Sequence, residues 1–234
     1  MFNNLFDESK VGSNESAKAK AKALVLDFGS VISLTMFETH AQTEKELGLA
    51  PGTLTWMGPF DPDNDPMWRD MEAGKITQRD YWLARAKEVG ELVGENWTTM
   101  MDFVKRARGQ DPMSIMRQEM IDLIYLAHES GRKVAILSNE LDLFFGDDIR
   151  GKLPFLSAVD VIVDASYTNI LKPDPKAYHL CLDELKLAAN ECVFIDDQII
   201  NAEGANAVGM IGLHLDVFKP EICINAAKKL LGLC

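Results

Sequence analysis

Short apolar runs alternate with amphipathic stretches along most of the chain. Five runs rich in branched apolar residues are typical of strands buried on both faces: ALVLDF (23–28), KVAILSN (133–139), VDVIVDA (159–165), CVFIDD (192–197) and IGLHLD (211–216). Between them, SIMRQEMIDLIYLAHESG, KAYHLCLDELKL and INAEGANAVG carry apolar residues at helical spacing. Because strands that alternate with helices form βαβ crossovers, the pattern predicts an α/β fold with an open parallel sheet.

Residues 37–109 break this rhythm, since they contain helical stretches and no convincing strand. We therefore predict a helical domain over 37–109, inserted into an α/β core formed by 22–36 and 110–234. Residues 1–21 are predicted to be a flexible N-terminal extension. The inserted domain holds all the tryptophans, which we interpret mainly as its core, with one or two facing a cleft: Trp56, Trp68, Trp82 and Trp97.

Composition and charge narrow the classes of partner. The chain is 47% hydrophobic and 26% charged, as in ordinary globular proteins, and its net charge is −12. Such a charge disfavours binding to nucleic acid or to an anionic membrane surface. No run reaches transmembrane length, and the polar N-terminus lacks the apolar stretch of a signal peptide. The widely spaced cysteines indicate reduced thiols in a cytoplasmic protein.

Polar side chains stand where the predicted strands end. In an open parallel sheet, ligands bind at the carboxyl ends of the strands, near the point where the strand order reverses. Residues at those ends, or in a loop that opens a helix, are Asp27, Ser138, Asn139, Lys172, Asp196 and Asp197. The sequence therefore predicts that carboxylates, a hydroxyl, an amide and an ammonium converge at one edge of the sheet.

Four segments, taken in this order, resemble the motifs of the haloacid dehalogenase (HAD) superfamily: VLDFGSVI, AILSN, LKPDPKAY and VFIDDQIINAEGANAVGM. The resemblance extends from about Lys22 to Gly232. It implies a Rossmann-like core with an inserted helical cap of the C1 type, as in subfamily I. The first motif is similar to the D-x-G-x-V form of a phosphatase branch that includes glucose-1-phosphate phosphatases.

The resemblance implies a phosphatase that forms an aspartyl-phosphate and acts on a small phosphorylated metabolite. A carboxylate nucleophile splits one difficult displacement into two easier ones, and Mg²⁺ brings the two anionic reactants together. By resemblance, Asp27 is the nucleophile and a metal ligand, and the Gly29 carbonyl is a second ligand. Asp196 and Asp197 would complete the Mg²⁺ site.

The remaining motif residues are expected to bind the substrate. By resemblance, Ser138 and Lys172 hold the transferring phosphoryl oxygens and take part in catalysis. The backbone amides of Phe28 and Gly29 would cradle the phosphate. Asn139 is expected at the substrate site as a supporting residue, together with Asn201. We leave open whether the protein forms a homodimer.

Gly29 departs from the pattern of most phosphatases in this superfamily, which have a second aspartate there as general acid and base. Such a group is usually worth about 10²–10⁴-fold in rate. Its absence favours a substrate with a good leaving group, such as an anomeric sugar, acyl or aryl phosphate. Glu38 or His40 of the cap could supply the proton instead, although both are more typical of a solvated helix face.

Two alternatives remain open at this stage. A 2-haloacid dehalogenase would use Asp27 against carbon without metal. Those enzymes tend to have serine and asparagine in place of Asp196 and Asp197, and an early cap arginine, whereas the first arginine here is Arg69. A non-catalytic metabolite-binding protein of the same fold is the second alternative, and Gly29 is the feature that favours it.

The stretch DPDNDPMWRDME has carboxylates at the spacing of a calcium-binding loop: Asp61, Asp63, Asp65 and Glu72. That loop requires glycine at its sixth position, where this chain has Pro66, which cannot adopt a positive φ. We therefore predict a loop between cap helices rather than a calcium site.

Overall fold

The computed structural model describes residues 20–107, 111–139, 141–142 and 147–233. Its centre is a five-stranded sheet whose paired strands are parallel, in the spatial order β3-β2-β1-β4-β5. The strands are β1 (Ala23–Leu26), β2 (Lys133–Ser138), β3 (Val161–Asp164), β4 (Cys192–Asp196) and β5 (Ile211–His214). The predicted sheet is confirmed, although each strand ends one or two residues before its predicted end.

The α-helices follow in chain order as α1 (His40–Leu47), α2 (Pro66–Glu72), α3 (Gln78–Leu92), α4 (Met100–Ala107), α5 (Gln118–Glu129), α6 (Ala165–Thr168), α7 (Pro175–Leu185), α8 (Ile199–Ala207) and α9 (Pro220–Leu231). Short 3₁₀ helices cover Gly58–Phe60, Pro62–Asn64, Pro112–Ile115, Asp147–Lys152, Pro154–Ala158 and Ala189–Glu191. Local sequence explains the boundaries. Asp174 caps α7 by accepting the Lys176 N–H, and Gly131, with φ of 74°, follows the end of α5.

Two apolar layers cover the sheet. Leu24 and Leu26 of β1 belong to a core that includes α5 and α9, whereas Ala23 and Val25 belong to a second core with α7 and α8. Because successive side chains of a strand point to opposite faces, one continuous apolar run supplies both layers. The edge strand β5 is less covered than predicted, since His214 is exposed and Leu213 is its one buried residue.

Rings from helices α1–α3, which lie between β1 and β2, pack in one aromatic cluster. Phe37 lies at its centre, with centroid distances of 5.8 Å to Trp56, 5.4 Å to Trp68 and 5.3 Å to Trp82. Trp97 packs separately on Phe103, at 5.7 Å. The tryptophans thus pack in the helical domain, as the interpretation of them as core residues requires.

The boundaries of the helical domain at 37–109 stay a prediction. Most of the predicted N-terminal extension, residues 1–19, lies outside the described residues. Ala21 was predicted to belong to that extension, but it is buried and its N–H donates to the Leu230 carbonyl. The packed chain therefore begins before residue 22. No helix in the described part of the chain combines the length and apolar character needed to cross a bilayer.

Candidate active site

Asp27 stands directly after the central strand of the sheet, where the strand order reverses. Chain connectivity passes from β1 to β2 and β3 on one side, then crosses back to β4 on the other. The Asp27 N–H donates to the Ile195 carbonyl of β4 at 2.9 Å, and the residue is buried. The sheet therefore holds this carboxylate rigidly at the edge where open α/β folds bind their ligands.

Lys172 joins two of the predicted carboxylates. Its Nζ donates to Asp27 Oδ1 at 2.7 Å and to Asp196 Oδ2 at 2.6 Å, and its side chain is 1% exposed. The ring of Phe194 lies under the ammonium, with its centroid 5.3 Å from Nζ. Residues separated by more than a hundred positions thus meet in one buried cluster, as the strand-end argument predicts.

Asn139 fixes the loop that carries the lysine. The Lys172 N–H donates to Asn139 Oδ1 at 2.7 Å, and Asn139 Nδ2 donates to the Lys172 carbonyl at 3.1 Å. Both ends of the amide therefore contact the backbone of Lys172, which gives Asn139 a supporting contact. Its predicted contact with substrate, and that of the buried Ser138 at the end of β2, stay predictions.

Asp196 is held on its other oxygen by the start of α8. Oδ1 accepts from the Gln198 N–H at 2.9 Å and from Asn201 Nδ2 at 3.1 Å, while Tyr178 donates to the Asn201 carbonyl at 2.8 Å. Asn201 is thus a positioning neighbour of Asp196. The adjacent Asp197 is half-buried, and its backbone carbonyl lies 2.9 Å from His214 Nε2.

Carboxylate oxygens of Asp27, Asp196 and Asp197 lie within 4.8 Å of one another. Burial raises the pKa of Asp27, the Lys172 charge lowers it and the Asp196 charge raises it again, leaving a value of about 6. Burial, together with the charges of Asp27 and Asp196, raises the pKa of Asp197 well above its usual range. Burial alone would lower the pKa of Lys172, but the two carboxylates it contacts raise it above its usual value.

The charges of this cluster fit a divalent cation. Three carboxylates lie close together and one ammonium contacts two of them, so like-charge repulsion is only partly compensated within the cluster. Oxygen ligands of this kind are those that Mg²⁺ prefers. In the described part of the chain, no other set of three acidic, histidine or cysteine side chains lies close enough together to hold a metal ion.

The turn after Asp27 has its unusual backbone at Ser30 rather than at Gly29. Gly29 lies outside the left-handed region, and a Cβ built on it would meet no atom within 4 Å. Ser30 has φ of 61°. The Phe28 side chain is fully buried in the core, while its backbone N–H stabilises the ionised Asp27. A side chain at position 29 would therefore be tolerated.

The two proposed substitutes for the missing acid lie in different surroundings. Glu38 forms an ion pair with the buried Arg117, at 3.0 Å. His40 was expected on a solvated helix face, which is wrong, because it is buried with its ring centroid 4.3 Å from that of Trp56. Burial lowers the pKa of His40 to about 4, although Glu44 opposes the shift. His40 is therefore neutral near pH 7 and a poor proton donor.

Sequence reasoning missed two buried charged groups. Arg117 lies between the helical domain and α5 and contacts the nucleophile loop through the Ser30 carbonyl. Asp65 is fully buried and accepts from Tyr81 Oη at 2.7 Å and from Arg85 Nη2 at 2.6 Å. Asp65 is thus a structural centre of the helical domain, and the absence of a calcium site in its stretch stays a prediction. Spacing pointed to Asp65 only as a member of the calcium-loop pattern, and no signal pointed to Arg117.

Similarity to known proteins extends over most of the chain. The family model described as haloacid dehalogenase-like hydrolase matches residues 16–209. The Acyl-CoA dehydrogenase family member 10 of Mus musculus is 26% identical over 90% of this chain, which spans only 19% of that relative. The sesquiterpene phosphatase astK of Aspergillus oryzae is 24% identical, over 83% of this chain and 89% of that relative.

Among solved structures, the magnesium-bound HAD-hydrolase YfnB of Bacillus subtilis matches with a TM-score of 0.59 at 16% identity. The match covers 82% of this chain and 85% of that one. At this identity the likeness concerns the fold alone. It confirms the predicted α/β architecture.

Proposed function

The chain belongs to the haloacid dehalogenase-like hydrolases, and from that premise we propose that it is a magnesium-dependent phosphatase of small phosphorylated metabolites. Its nucleophile would be Asp27. The observation that carries this proposal is the buried cluster in which three carboxylates lie close together and one ammonium contacts two of them, because such a charge arrangement suits a cation that also binds a phosphate. The hydrogen bonds that anchor Asp27 to β4 and Asp196 to the start of α8 hold this cluster in place.

In the proposed reaction, a carboxylate oxygen of Asp27 attacks phosphorus. The bond from phosphorus to the leaving oxygen breaks, and that oxygen departs with the electron pair. Water then attacks the phosphorus of the aspartyl-phosphate, releasing phosphate and restoring the Asp27 carboxylate. The hydrogen bond from the Asp27 backbone to β4 would limit the reorganisation needed to position this nucleophile.

The other residues would bind and orient the phosphoryl group. Lys172 offers a buried positive charge, and Ser138 offers a hydroxyl at the end of β2. Asp27, Asp196 and Asp197, with the Gly29 carbonyl, would hold Mg²⁺. When bound, this ion would neutralise charge on the nucleophile and on the phosphoryl oxygens. Asn139 and Asn201 would keep Lys172 and Asp196 in place through the contacts described above.

The leaving group should be one that departs without strong acid assistance. Gly29 has no side chain to donate a proton, Glu38 is paired with Arg117, and His40 is neutral and buried. Anomeric sugar, acyl and aryl phosphates meet this requirement. A sesquiterpene phosphate belongs in the substrate panel as well, because one relative is named a sesquiterpene phosphatase.

The dehalogenase alternative is less well supported by the site. A reaction at carbon without metal gives no reason to keep Asp196 and Asp197 beside Asp27, since the three charges repel one another. The non-catalytic alternative meets the same objection. It would retain a buried nucleophile, lysine and acidic pair, with a raised pKa at Asp27, for no chemical purpose.

A substrate panel with matched conditions tests the proposal. Phosphate release should be measured on sugar, acyl, aryl, alkyl and terpenyl phosphates, with Mg²⁺ and with a chelator, beside chloride release from 2-chloropropionate. We expect phosphate release that requires Mg²⁺ and is abolished in Asp27→Asn. Chloride release that persists in chelator would favour the dehalogenase, and failure of both reactions would favour the binding protein.

A further inference from the structure

The loop after the nucleophile contains a residue in an uncommon conformation. Ser30 has φ of 61°, in the left-handed region that non-glycine residues adopt rarely. The loop is closed around it, because the N–H groups of Ile32 and Ser33 both donate to the Phe28 carbonyl, at 3.0 and 2.9 Å. The Ser30 N–H donates to Ser33 Oγ at 3.3 Å. Other contacts must therefore favour this conformation over the ordinary ones.

Arg117 supplies such contacts from a distant part of the chain. Its side chain is 4% exposed, and Nη2 donates to the Ser30 carbonyl at 3.3 Å. The same guanidinium binds Glu38, with Nη2 at 3.0 Å from Oε2 and Nη1 at 3.3 Å from Oε1. The Arg117 N–H donates to the Ile32 carbonyl at 2.8 Å. Backbone and side chain of one arginine thus hold both ends of the turn.

Glu38 is itself fixed, so the guanidinium binds a rigid partner. Glu38 Oε2 accepts from the Thr35 N–H at 2.8 Å, and the Glu38 N–H donates to Thr35 Oγ1 at 3.1 Å. Close by, Ser33 and Met116 form an antiparallel bridge between the two segments that connect the core with the helical domain. Arg117 therefore lies where these segments and the nucleophile loop meet.

The conformation of Ser30 determines the direction of the preceding carbonyl. Rotation about the N–Cα bond of Ser30 turns the whole peptide group that joins Gly29 to Ser30, including the Gly29 oxygen. A change of φ from 61° to the ordinary value near −60° would rotate that group by about 120° relative to the rest of Ser30. Such a rotation would redirect the carbonyl proposed as a metal ligand.

We propose that Arg117 is a positioning residue for the phosphatase reaction. By binding the Ser30 carbonyl and Glu38 together, it holds Ser30 in the left-handed conformation and so presents the Gly29 carbonyl to the divalent cation. This inference rests on the proposed function, because that function gives the Gly29 carbonyl its role. Arg117 acts through the backbone and has no contact of its own with the substrate in this scheme.

The variants distinguish a loss of the left-handed Ser30 conformation from a general loss of protein stability. Arg117→Met removes the guanidinium, and Ser30→Val makes the left-handed conformation less accessible without touching Arg117. Glycine adopts that conformation readily, so Ser30→Gly should rescue Arg117→Met in the double variant. Lys186→Gly is the matched control, since Lys186 also has a positive φ (55°) but ends α7 next to Leu185, whose carbonyl binds Lys133 at the opposite end of β2.

Mg²⁺ binding should be measured by titration calorimetry on the metal-free variants, with kcat and KM for an aryl phosphate beside it. We expect Arg117→Met and Ser30→Val each to weaken Mg²⁺ binding about tenfold, the population factor of a left-handed non-glycine residue. Arg117→Met combined with Ser30→Gly should bind within about threefold of wild type, whereas combination with Lys186→Gly should not recover. In the weakened variants, saturating Mg²⁺ should restore most of kcat.

The outcomes distinguish the positioning role of Arg117 from the phosphatase proposal. Unchanged Mg²⁺ binding in Ser30→Val, or no recovery on adding Ser30→Gly, would overturn the inference while leaving the phosphatase proposal intact. If Arg117→Met does not fold, Ser30→Val still decides, because it leaves the ion pair in place. Wild-type protein that hydrolyses phosphate esters without binding Mg²⁺ would refute both the metal dependence and this role of Arg117.

Discussion

Replacing Asp27 by asparagine should make the metal-free protein more stable at alkaline pH. The side chain is buried, and its pKa rises from the ordinary 3.8 to about 6 in the fold. This difference corresponds to about 3 kcal/mol of cost for holding the ionised carboxylate in the cluster. The substituted amide would carry no charge, while the contact between Lys172 and Asp196 would remain.

The direction of this pH dependence follows from proton binding to Asp27. Because the folded pKa lies above the unfolded one, the folded state binds the proton more tightly between pH 3.8 and about 6. The stability associated with protonated Asp27 is fully present below pH 3.8 and is lost as the pH rises through about 6. The advantage of Asp27→Asn should therefore be largest near pH 8 and small near pH 4.

Thermal unfolding in a chelator measures this effect. For a chain of this size, about 3 kcal/mol corresponds to a rise of roughly 6–12 °C in Tm at pH 8. Adding Mg²⁺ should stabilise the wild type more than the variant, because Asp27 is a proposed ligand. A variant that is less stable than wild type at pH 8 in chelator would refute the reasoning, since the Lys172 contact would then outweigh the costs of burial and of repulsion from Asp196.

Three further predictions concern the leaving group, the lysine and the helical domain. Gly29→Asp should raise turnover of alkyl phosphates by about tenfold more than that of aryl phosphates, because a general acid helps poor leaving groups most; an equal gain for both, in steady-state kcat/KM, would contradict this. Lys172→Ala should lower kcat by about 10²–10³-fold. It should also destabilise the fold by about 3–5 kcal/mol at pH 8 and by less at pH 5, because two buried carboxylates lose the cation that contacts them. Lys176→Ala, an exposed lysine of α7, is the control, and wild-type rates in Lys172→Ala would exclude its role. Asp65→Asn should cost about 3–5 kcal/mol in thermal unfolding, because it weakens a fully buried charge network. The exposed Asp63→Asn should have little effect, and equal effects of the two changes would contradict the assignment.

The sheet and the polar cluster were predictable because simple rules govern them. Strands covered on both faces require continuous apolar runs, so β1 and β4 stand out in the sequence. The carboxyl ends of parallel strands share one edge, which brings Asp27 and Asp196 together whatever the intervening chain does. The order of the four motifs then pointed to Lys172 as the cation between them.

The contacts of His40, Arg117 and Glu38 could not be predicted by such rules. His40 lies in the polar helix HAQTEKEL, and its burial depends on Trp56, which no spacing rule relates to it. Arg117 and its partner Glu38 lie 79 positions apart, in segments without a shared pattern. Charged residues buried by tertiary contacts resemble surface residues in a sequence, because their partners come from elsewhere in the chain.

The structure changes what can be expected of two substitutions in the site. From the sequence alone, Gly29→Asp would have been uninformative if Gly29 had a positive φ. The structure places the positive φ at Ser30 and leaves open space beside Gly29, so the substitution is a clean test. The structure also shows why Lys172→Ala should affect stability as well as activity, because Lys172 is the ammonium that directly contacts two buried carboxylates.

Trapping the covalent intermediate tests the central claim most directly. The protein should be mixed with an aryl phosphate and Mg²⁺, quenched in acid within the first turnover, reduced with borohydride and mapped by mass spectrometry. An aspartyl-phosphate is reduced to homoserine, so we predict homoserine at position 27, dependent on both substrate and Mg²⁺. Phosphate release at full rate with unmodified Asp27, or homoserine at another aspartate instead, would contradict the account.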